Sequence, residues 1–443
     1  MTQEKQTRFS EIAQRHGDPW IWGIYFTLLI VSIVFNYSAS SREVAAHGVY
    51  APIIKQVFFL AAGGVCVFSL AHIDYNKSGF LYAMIPFLAI FTVFSLVYTM
   101  FFGDIINGAR RSYQLLGISI QPSELAKLSI VTLLSYILAK SQKKRDISNG
   151  GLFASVLVVA FYGGMLYSSG LTNMLLLVSI SASMLLIGGV NFKKFIMIVV
   201  TFAVIGGGFY ALKHRNEAKQ NNISENRTEQ VDDPQKKALG GKQTIDRSET
   251  RDNRIKNWLE RDKLIYKPLT DRNQQEMFSC MAQAHGGLLG VGVGHSRECA
   301  RLPLAFSDYI YSIIIEETGL VGGLLLMLLY LWLLARAAMI VRRSTRVLPS
   351  LLIIGMASFI TYQALFHMGI NVGTLPVSGQ PLPLISSGGS SIIVVSVAFG
   401  VMLSVSRTIA NYNNKNNKVD KAVLPEGLDA VNPTQIPPKN VWK

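Results

Sequence analysis

The sequence predicts an all-α, polytopic integral membrane protein with about ten transmembrane helices and one large extracytoplasmic loop. Half of its 443 residues are hydrophobic and only 16% are charged, whereas charged residues make up about 25% of a soluble domain. Polar residues gather between apolar runs that are each near the roughly 20 residues needed to cross about 30 Å of hydrocarbon. The formal net charge of +15 does not indicate nucleic-acid binding, because the basic residues form short clusters between apolar segments.

Ten candidate membrane spans follow one another along the chain. They run approximately over residues 20–38, 53–73, 79–102, 122–139, 152–169, 172–189, 194–212, 307–335, 349–371 and 388–407. The break between the fifth and sixth spans is short, at Ser168, Ser169 and Gly170. The remaining segments are polar enough to lie outside the hydrocarbon.

The basic residues orient these helices, since cytoplasmic loops carry an excess of Lys and Arg. With a cytoplasmic N-terminus, the inner loops hold Lys77, Lys140, Lys143, Lys144, Arg145, Lys193, Lys194, Arg336, Arg342, Arg343 and Arg346. The short outer loops hold only Arg42, Arg110 and Arg111. Both termini are therefore expected in the cytoplasm, and the loop between the seventh and eighth helices is expected outside.

The predicted organisation has five parts. These are a cytoplasmic N-terminus (1–19), helices 1–7 (20–212), the large extracytoplasmic loop (213–306), helices 8–10 (307–407) and a flexible cytoplasmic tail (408–443). Residues 214–250 are rich in Asn, Gln, Lys, Glu and Asp, a composition that cannot bury a core and predicts disorder. The glycine-rich run 284–294 suits a tight re-entrant turn near the bilayer. Cys280 and Cys299 share the large loop, and a disulfide between them is left open.

A first polar cluster precedes and begins the fourth helix. Glu124 would lie near the positive end of the helix dipole, and Lys127, three residues later, would share its face. This pair is either a structural ion pair of the bundle or the lining of a polar cavity open to the outer face. Arg110 and Arg111 are ordinary loop charges or a fork for pyrophosphate oxygens. Gln121 and Ser123, beside the helix start, join the candidate substrate-binding residues.

A second polar cluster lies at the outer end of the eighth helix. Asp308 is either a helix cap or a general base on the outer face. Glu316 and Glu317 follow on the same helix, roughly 12–14 Å deeper at 1.5 Å per residue. That depth favours an internal polar network over chemistry at the surface.

A third polar cluster connects the ninth and tenth helices. The prolines and glycines of residues 375–391 exclude a spanning helix and predict an ordered outer loop or a segment that lines a cavity. Exposed N–H groups where Ser386, Ser387 and Ser390 enter the last helix suit a phosphate, unless this is a plain turn with capping serines. Asn371 precedes this loop and joins the candidate substrate-binding residues. All three clusters fall on the outer face, which indicates one site for an anionic, membrane-borne substrate.

Several motifs in this chain resemble those of the SEDS family (shape, elongation, division and sporulation). They are Gly-Ala-Arg-Arg, Gln-Pro-Ser-Glu-Leu-Ala-Lys, Gly-Gly-Leu-Leu-Gly-Val-Gly-Val-Gly, Ser-Asp-Tyr-Ile, Glu-Glu-Thr-Gly-Leu-Val-Gly and Leu-Pro-Val-Ser-Gly-Gln-Pro-Leu-Pro-Leu-Ile-Ser-Ser-Gly-Gly-Ser-Ser. They occur in the family's order over residues 20–408, and the last resembles division members more than elongation members. Ser112 and Ser387 stand where the family usually has Trp and Tyr, and the family's Pro-Asp-x-Gly-Thr is replaced at 168–173.

The resemblance implies an inverting peptidoglycan glycosyltransferase that polymerises lipid II into glycan strands at the outer face of the bacterial cytoplasmic membrane, for septal wall synthesis. Asp308 would deprotonate the acceptor sugar's 4-hydroxyl, which displaces undecaprenyl pyrophosphate. Lys127 would stabilise charge, and Glu124 would orient Lys127. Arg110 and Arg111 would hold pyrophosphate. A divalent cation such as Mg or Mn could share that task, although the sequence shows no defined metal-ligand set. The implied partners are a class B penicillin-binding protein transpeptidase and other division proteins.

Two other functions remain open from the residues alone. A lipid flippase also needs polar groups within its spans, but near the midplane rather than at one face. Glu316 and Glu317 are the residues that keep this alternative open. A scaffold that only recruits the transpeptidase would tolerate the replacement of Asp308 by Asn.

Overall fold

The computed structural model is a helical bundle with a small sheet at one end. It describes residues 13–40, 50–73, 80–106, 109–115, 118–142, 147–202, 258–259, 273–302, 304–344 and 346–423. Within these ranges, eight helices are long and apolar enough to cross a membrane, and a ninth apolar helix is shorter. The predicted class, a mostly helical polytopic membrane protein, is confirmed. The segment 214–250 lies outside the described residues.

Ten helices and three strands are named here in chain order. They are α1 (Pro19–Ala39), α2 (Tyr50–His72), α3 (Phe80–Phe102), β1 (Asp104–Ile106), β2 (Ala109–Leu115), β3 (Ile118–Ile120), α4 (Pro122–Lys140), α5 (Asn149–Ser169), α6 (Leu171–Ile187), α7 (Gln274–Gly286), α8 (Ile310–Val341), α9 (Val347–Val372) and α10 (Gly389–Val423). Gly170 separates α5 from α6, as the sequence predicts.

The main differences from the predicted spans lie near the large loop and the C-terminus. Residues 192–202 are helical and begin the predicted seventh span, the rest of which lies outside the described residues. The large loop contains α7, which the sequence did not predict. The last helix continues to Val423, into the segment expected to be a flexible tail.

Two contacts align α1 with α8 and mark the two ends of the bundle. At one end, Arg336 donates to the carboxylate of Asp18, with Nη2 2.6 Å from Oδ2. At the other end, Ser38 donates to the carboxylate of Glu317. The two residues of each helix are about twenty positions apart, or about 30 Å along a helix, which matches the hydrocarbon thickness. We call these the Arg336 end and the Glu317 end.

Glu317 lies two residues before a break in α8. The break is at Gly319, where φ is +73°, and the side chain of Glu317 contacts the last turn of α1. The carbonyl oxygens of Glu316 and Glu317 accept the N–H groups of Val291 and Gly292, at 3.0 and 2.9 Å. The glycine-rich run therefore turns against the break in α8.

The side chain of Glu316 also serves this turn. Its Oε1 accepts the backbone N–H of Arg297 at 3.0 Å, and its Oε2 accepts the hydroxyl of Ser296. Glu316 and Glu317 are both buried. Their contacts therefore support the structural interpretation of this pair, and neither of them lies at the midplane.

We expect Gly319→Ala to destabilise the protein. A β-carbon there would lie 2.2 Å from the carbonyl oxygen of Leu288, on backbone with positive φ, and strain of this kind costs about 1–3 kcal/mol or more. Thermal unfolding in detergent should show a lower midpoint than wild type. Gly23→Ala is the matched control, because nothing lies within 4 Å of its β-carbon. Equal midpoints for the two variants would contradict the packing described for the break.

The three strands form an antiparallel sheet between α3 and α4, in the order β1-β2-β3. Asp104 pairs with Ser112 and Tyr113 with Ile120, and the Tyr113 hydroxyl lies 2.9 Å from Oγ of Ser95 on α3. The sequence did not predict this sheet. It places Arg110 and Arg111, both on β2, beside the start of α4.

All three cysteines are free in this structure. Cys280 is exposed, whereas Cys299 is buried, with Sγ 3.3 Å from the carbonyl oxygen of Ser38. The disulfide that the sequence left open is therefore not formed here.

Candidate active site

The three polar clusters meet at the Glu317 end of the bundle. The N–H of Gln121 donates to Oγ of Ser390 at 3.2 Å, which joins the first cluster to the third. Nδ2 of Asn371 donates to the carbonyl oxygen of Asp308 at 3.0 Å, which joins the third to the second. The fold thus assembles a single site from segments more than two hundred residues apart in sequence.

Gly379 lies beside the two side chains with the clearest chemistry. The position of a Gly379 β-carbon would be 3.0 Å from Oδ2 of Asp308 and 3.5 Å from Nη1 of Arg111. Both side chains are half-buried, and Ser307 donates to Oδ1 of Asp308 at 3.1 Å. A carboxylate and a guanidinium therefore lie next to the same glycine.

Arg111 also borders a small, solvent-open groove between α3, α4 and α5. The polar side of this groove includes Arg110, Arg111 and Ser123. Its apolar side includes Leu96, Met100 and Met165. A groove with guanidinium groups beside apolar side chains suits an anionic head group attached to a hydrocarbon chain.

Arg110 has a second role in the structure. Its Nη1 donates to the carbonyl oxygens of Met100, at 2.9 Å, and of Phe101. These carbonyls end α3, and a cation at a helix C-terminus satisfies them and complements the dipole. Arg110 is thus partly committed to capping α3, so Arg111 is the better placed of the two to bind substrate.

Glu124 and Lys127 form a buried ion pair, with Nζ 2.6 Å from Oε1. The Lys127 side chain has no exposed surface, and Nζ also donates to Oε1 of Gln363 at 2.8 Å. The pair therefore lies within the bundle, as the structural interpretation has it, and does not line the groove. Gln363 links this ion pair to the segment before α10, because Nε2 of Gln363 donates to the carbonyl oxygen of Pro381 at 3.1 Å.

Asn371 is buried, and both ends of its amide are engaged within the protein. Oδ1 accepts from the N–H and the hydroxyl of Ser312, and Nδ2 donates to the carbonyl oxygens of Asp308 and His367. These bonds favour a structural role, and the predicted role of Asn371 in substrate binding stays a prediction. Asn371 holds the backbone of Asp308 in place.

The serines before α10 mostly tie the loop to its surroundings. Ser386 is buried, donates to the carbonyl oxygen of Ser307 and accepts the N–H of Leu382, both at 2.7 Å. The N–H of Ser387 donates to the carbonyl oxygen of Phe306 at 3.0 Å. These bonds favour a structural role for Ser386, and its predicted contact with a phosphate stays a prediction. Ser387 and Ser390 are half-buried at the helix start.

The structure adds residues to the site that the sequence analysis missed. Gly379 lies beside Asp308 and Arg111, and Gln363 and His367 contact the segment that carries it. Polar residues in the apolar α9, four positions apart and in line with Asn371, were the signal that could have found the last two. Among the described residues, no three His, Cys, Asp or Glu side chains converge as a metal-ligand set.

We expect Gly379→Ala to lower activity without unfolding the protein. The added methyl group would press on the ends of the Asp308 and Arg111 side chains, which can move, and Gly379 has no positive φ. A misplacement of about 1 Å costs about 100-fold in turnover, so the smaller shift expected here should cost less. Gly388→Ala is the control, because its β-carbon would make only ordinary contacts at 3.5 and 4.0 Å. Equal turnover of the two variants would show that catalysis does not depend on the space that Gly379 leaves beside Asp308 and Arg111.

The fold and this site define a multi-pass membrane protein with a polar site at one end of its helical bundle. A family model described as "Cell cycle protein", which groups FtsW, RodA and SpoVE, matches residues 19–411. The chain belongs to this family, and the SEDS resemblance of its motifs is confirmed.

Curated relatives match most of the chain. A probable peptidoglycan glycosyltransferase FtsW of Bacillus subtilis (strain 168) is 25% identical over 426 residues, which cover 92% of this chain and 95% of the relative. A protein of the same description from Dichelobacter nodosus (strain VCS1703A) is 28% identical over 409 residues, which cover 88% and 91%.

The fold is also similar to that of a solved structure described as "Structural coordination of polymerization and crosslinking by a peptidoglycan synthase complex". The match has a TM-score of 0.62 at 22% identity and covers 88% of this chain and 98% of the other. This likeness supports the helical architecture described above.

Proposed function

We propose that this protein is a peptidoglycan glycosyltransferase that polymerises lipid II at the outer face of the bacterial cytoplasmic membrane during septal wall synthesis. The observation that carries the proposal is the position of Arg111. It borders the amphipathic groove and also lies, with Asp308, next to Gly379. An anionic, lipid-linked head group in the groove would therefore present its reacting sugar to the Asp308 carboxylate.

The groove residues bind the leaving group in this proposal. The guanidinium of Arg111 pairs with pyrophosphate oxygens in a fork, and Arg110 adds positive charge beside it. Leu96, Met100 and Met165 contact the start of the undecaprenyl chain. Gln121 and Ser123, at the start of α4, and Ser387 and Ser390, at the start of α10, lie near enough to contribute polar contacts to the head group.

Asp308 acts as the general base. Its carboxylate accepts the proton of the acceptor sugar's 4-hydroxyl, and that oxygen attacks the anomeric carbon of the growing strand. The bond from the anomeric carbon to the pyrophosphate oxygen breaks, and undecaprenyl pyrophosphate leaves with the bonding electrons. Attack from the face opposite the leaving group inverts the anomeric configuration. Ser307 orients the carboxylate by donating to Oδ1.

Lys127 and Glu124 take an indirect role in this mechanism. Because Lys127 is fully buried, it acts through Gln363 and the segment before α10 rather than by touching the substrate. In this proposal Arg111 stabilises charge, the role that the sequence analysis gave to Lys127. Lys127 and Glu124 are positioning residues in this proposal.

The proposal fixes an orientation for the bundle. The Arg336 end carries Lys140, Lys193, Lys194, Arg336, Arg342, Arg343 and Arg346, which the positive-inside rule places in the cytoplasm. The Glu317 end then faces outward, where lipid II is polymerised. Both termini lie in the cytoplasm, and a class B penicillin-binding protein receives the nascent glycan strand for crosslinking, together with other division proteins.

A flippase is the second candidate function, and the depth of the polar residues weighs against it. Glu316 and Glu317, which kept that alternative open, hold the glycine-rich turn at the Glu317 end. The buried pair Glu124–Lys127 lies in the first two turns of α4, near that same end. A scaffold without catalysis leaves unexplained why Asp308 and Arg111 face one glycine.

The test is the formation of glycan strands from purified lipid II by the detergent-solubilised protein, copurified with its transpeptidase partner. Long strands made by the wild-type protein, together with release of undecaprenyl pyrophosphate, would establish the polymerase. A parallel assay in liposomes measures the movement of fluorescent lipid II between leaflets. Movement without polymer would favour the flippase, and neither activity would favour the scaffold.

A further inference from the structure

One face of α9 carries a row of buried polar side chains. Gln363, His367 and Asn371 follow at intervals of four residues, which places them on the same face of the helix. All three are almost completely buried in an otherwise apolar helix. Buried polar groups need hydrogen-bond partners, so the partners of this row show what it does.

The partners lie in the segment that carries Gly379. Nδ1 of His367 contacts the carbonyl oxygen of Gln380 at 2.6 Å, and Nε2 of Gln363 donates to that of Pro381 at 3.1 Å. A carbonyl oxygen only accepts, so Nδ1 of His367 carries the hydrogen and donates it. Asn371, the third member of the row, holds the backbone of Asp308.

This segment depends on side chains because it makes few backbone bonds of its own. Pro381 and Pro383 have no N–H to donate. The carbonyl oxygens of Gln380, Pro381 and Pro383 accept instead from His367, Gln363 and Tyr330, respectively. Side chains from two membrane-spanning helices, α8 and α9, thus fix the path of the residues that follow Gly379.

We propose that His367 and Gln363 are positioning residues that fix Gly379, and with it the positions of the Asp308 carboxylate and the Arg111 guanidinium beside it. The expected effect on polymerisation rests on the proposed function. The inference that His367 and Gln363 hold this segment does not depend on that function. It also gives the buried pair Glu124–Lys127 a route to the site, because Nζ of Lys127 donates to Oε1 of Gln363.

His367 allows a matched pair of substitutions. In asparagine, the side-chain amide nitrogen is bonded to the γ-carbon, as Nδ1 is in histidine, so His367→Asn can still donate to the Gln380 carbonyl oxygen. In glutamine, the amide nitrogen lies one bond further out, near the place of Nε2, so His367→Gln loses that donor. A residue that only fills space would favour the larger glutamine, whereas a donor at Nδ1 favours asparagine.

The experiment compares the two variants with wild type in the copurified complex. Hydrogen exchange of peptides covering residues 376–386 measures how firmly the segment is held. We expect exchange to be at least about tenfold faster in His367→Gln and within about threefold of wild type in His367→Asn. Turnover on lipid II should fall about 10- to 100-fold in His367→Gln, with KM nearly unchanged, and recover in His367→Asn.

A second position keeps the test decisive if His367→Gln does not fold. Gln363→Met leaves Lys127 with Glu124 but removes the donor to Pro381, and it should also speed exchange in 376–386. Combining His367→Gln with Gly379→Ala should add little to the loss of turnover of either change alone, because both displace the same two side chains, Asp308 and Arg111.

The outcomes separate this inference from the proposed function. Wild-type protein that makes no polymer, with fast exchange in His367→Gln and slow exchange in His367→Asn, would overturn the function and keep the positioning role. Equal exchange and equal turnover in both His367 variants would overturn the positioning role. Fast exchange with wild-type turnover in His367→Gln would show that His367 holds the segment but that the segment does not position Asp308 and Arg111 for catalysis.

Discussion

Asp308→Asn is expected to abolish glycan polymerisation while leaving the fold intact. A carboxamide cannot accept the proton of the acceptor hydroxyl, and loss of a general base costs about 10²- to 10⁴-fold in turnover. The substitution keeps the side chain's size and the acceptor oxygen for Ser307. The bond from Asn371 goes to the backbone of Asp308 and is also kept.

The measurement is strand length and rate from purified lipid II, with the thermal midpoint recorded for each protein. Asp104→Asn provides the matched control, because this exposed carboxylate lies on β1 at the same end of the bundle. It should polymerise as wild type does. Polymer at the wild-type rate from Asp308→Asn would remove Asp308 as the base.

Hydropathy predicted most of the fold because the spanning helices must satisfy their backbone and expose apolar side chains to lipid. The departures occur where those constraints weaken. β1–β3 are only three to seven residues long, and α7 lies outside the spans, so neither carries a hydropathy signal. The break at Gly319 lies within the predicted eighth span, and it becomes visible only once the glycine-rich turn is packed against it.

The charged residues of the candidate site stand out in the sequence, whereas the residues around them do not. Asp308, Arg111 and the pair Glu124–Lys127 stand out because charge is costly near hydrocarbon. Gly379 has no side chain, and its place beside Asp308 and Arg111 appears only in the structure. The hydrogen bonds of Asn371 and Ser386 could not be predicted, because most of their partners are distant in sequence.

Lys127→Met is expected both to destabilise the protein and to inactivate it. Removing the cation leaves the Glu124 carboxylate buried without its partner, which costs about 3–5 kcal/mol. It also removes the donor to Gln363, whose amide holds Pro381 beside the Gly379 segment. A single variant cannot tell which loss causes the inactivity.

The double variant Lys127→Met/Glu124→Gln separates the two effects. It removes both charges, so most of the lost stability should return, but Gln363 still lacks the Lys127 donor. We therefore expect a thermal midpoint near wild type together with polymerisation that stays at least about tenfold below it, the scale on which misplaced reacting groups lose rate. Recovery of both stability and polymer would mean that the ion pair only supports the fold. Normal polymerisation by Lys127→Met alone would remove this residue from the site, and the link from α4 through Gln363 to Gly379 with it.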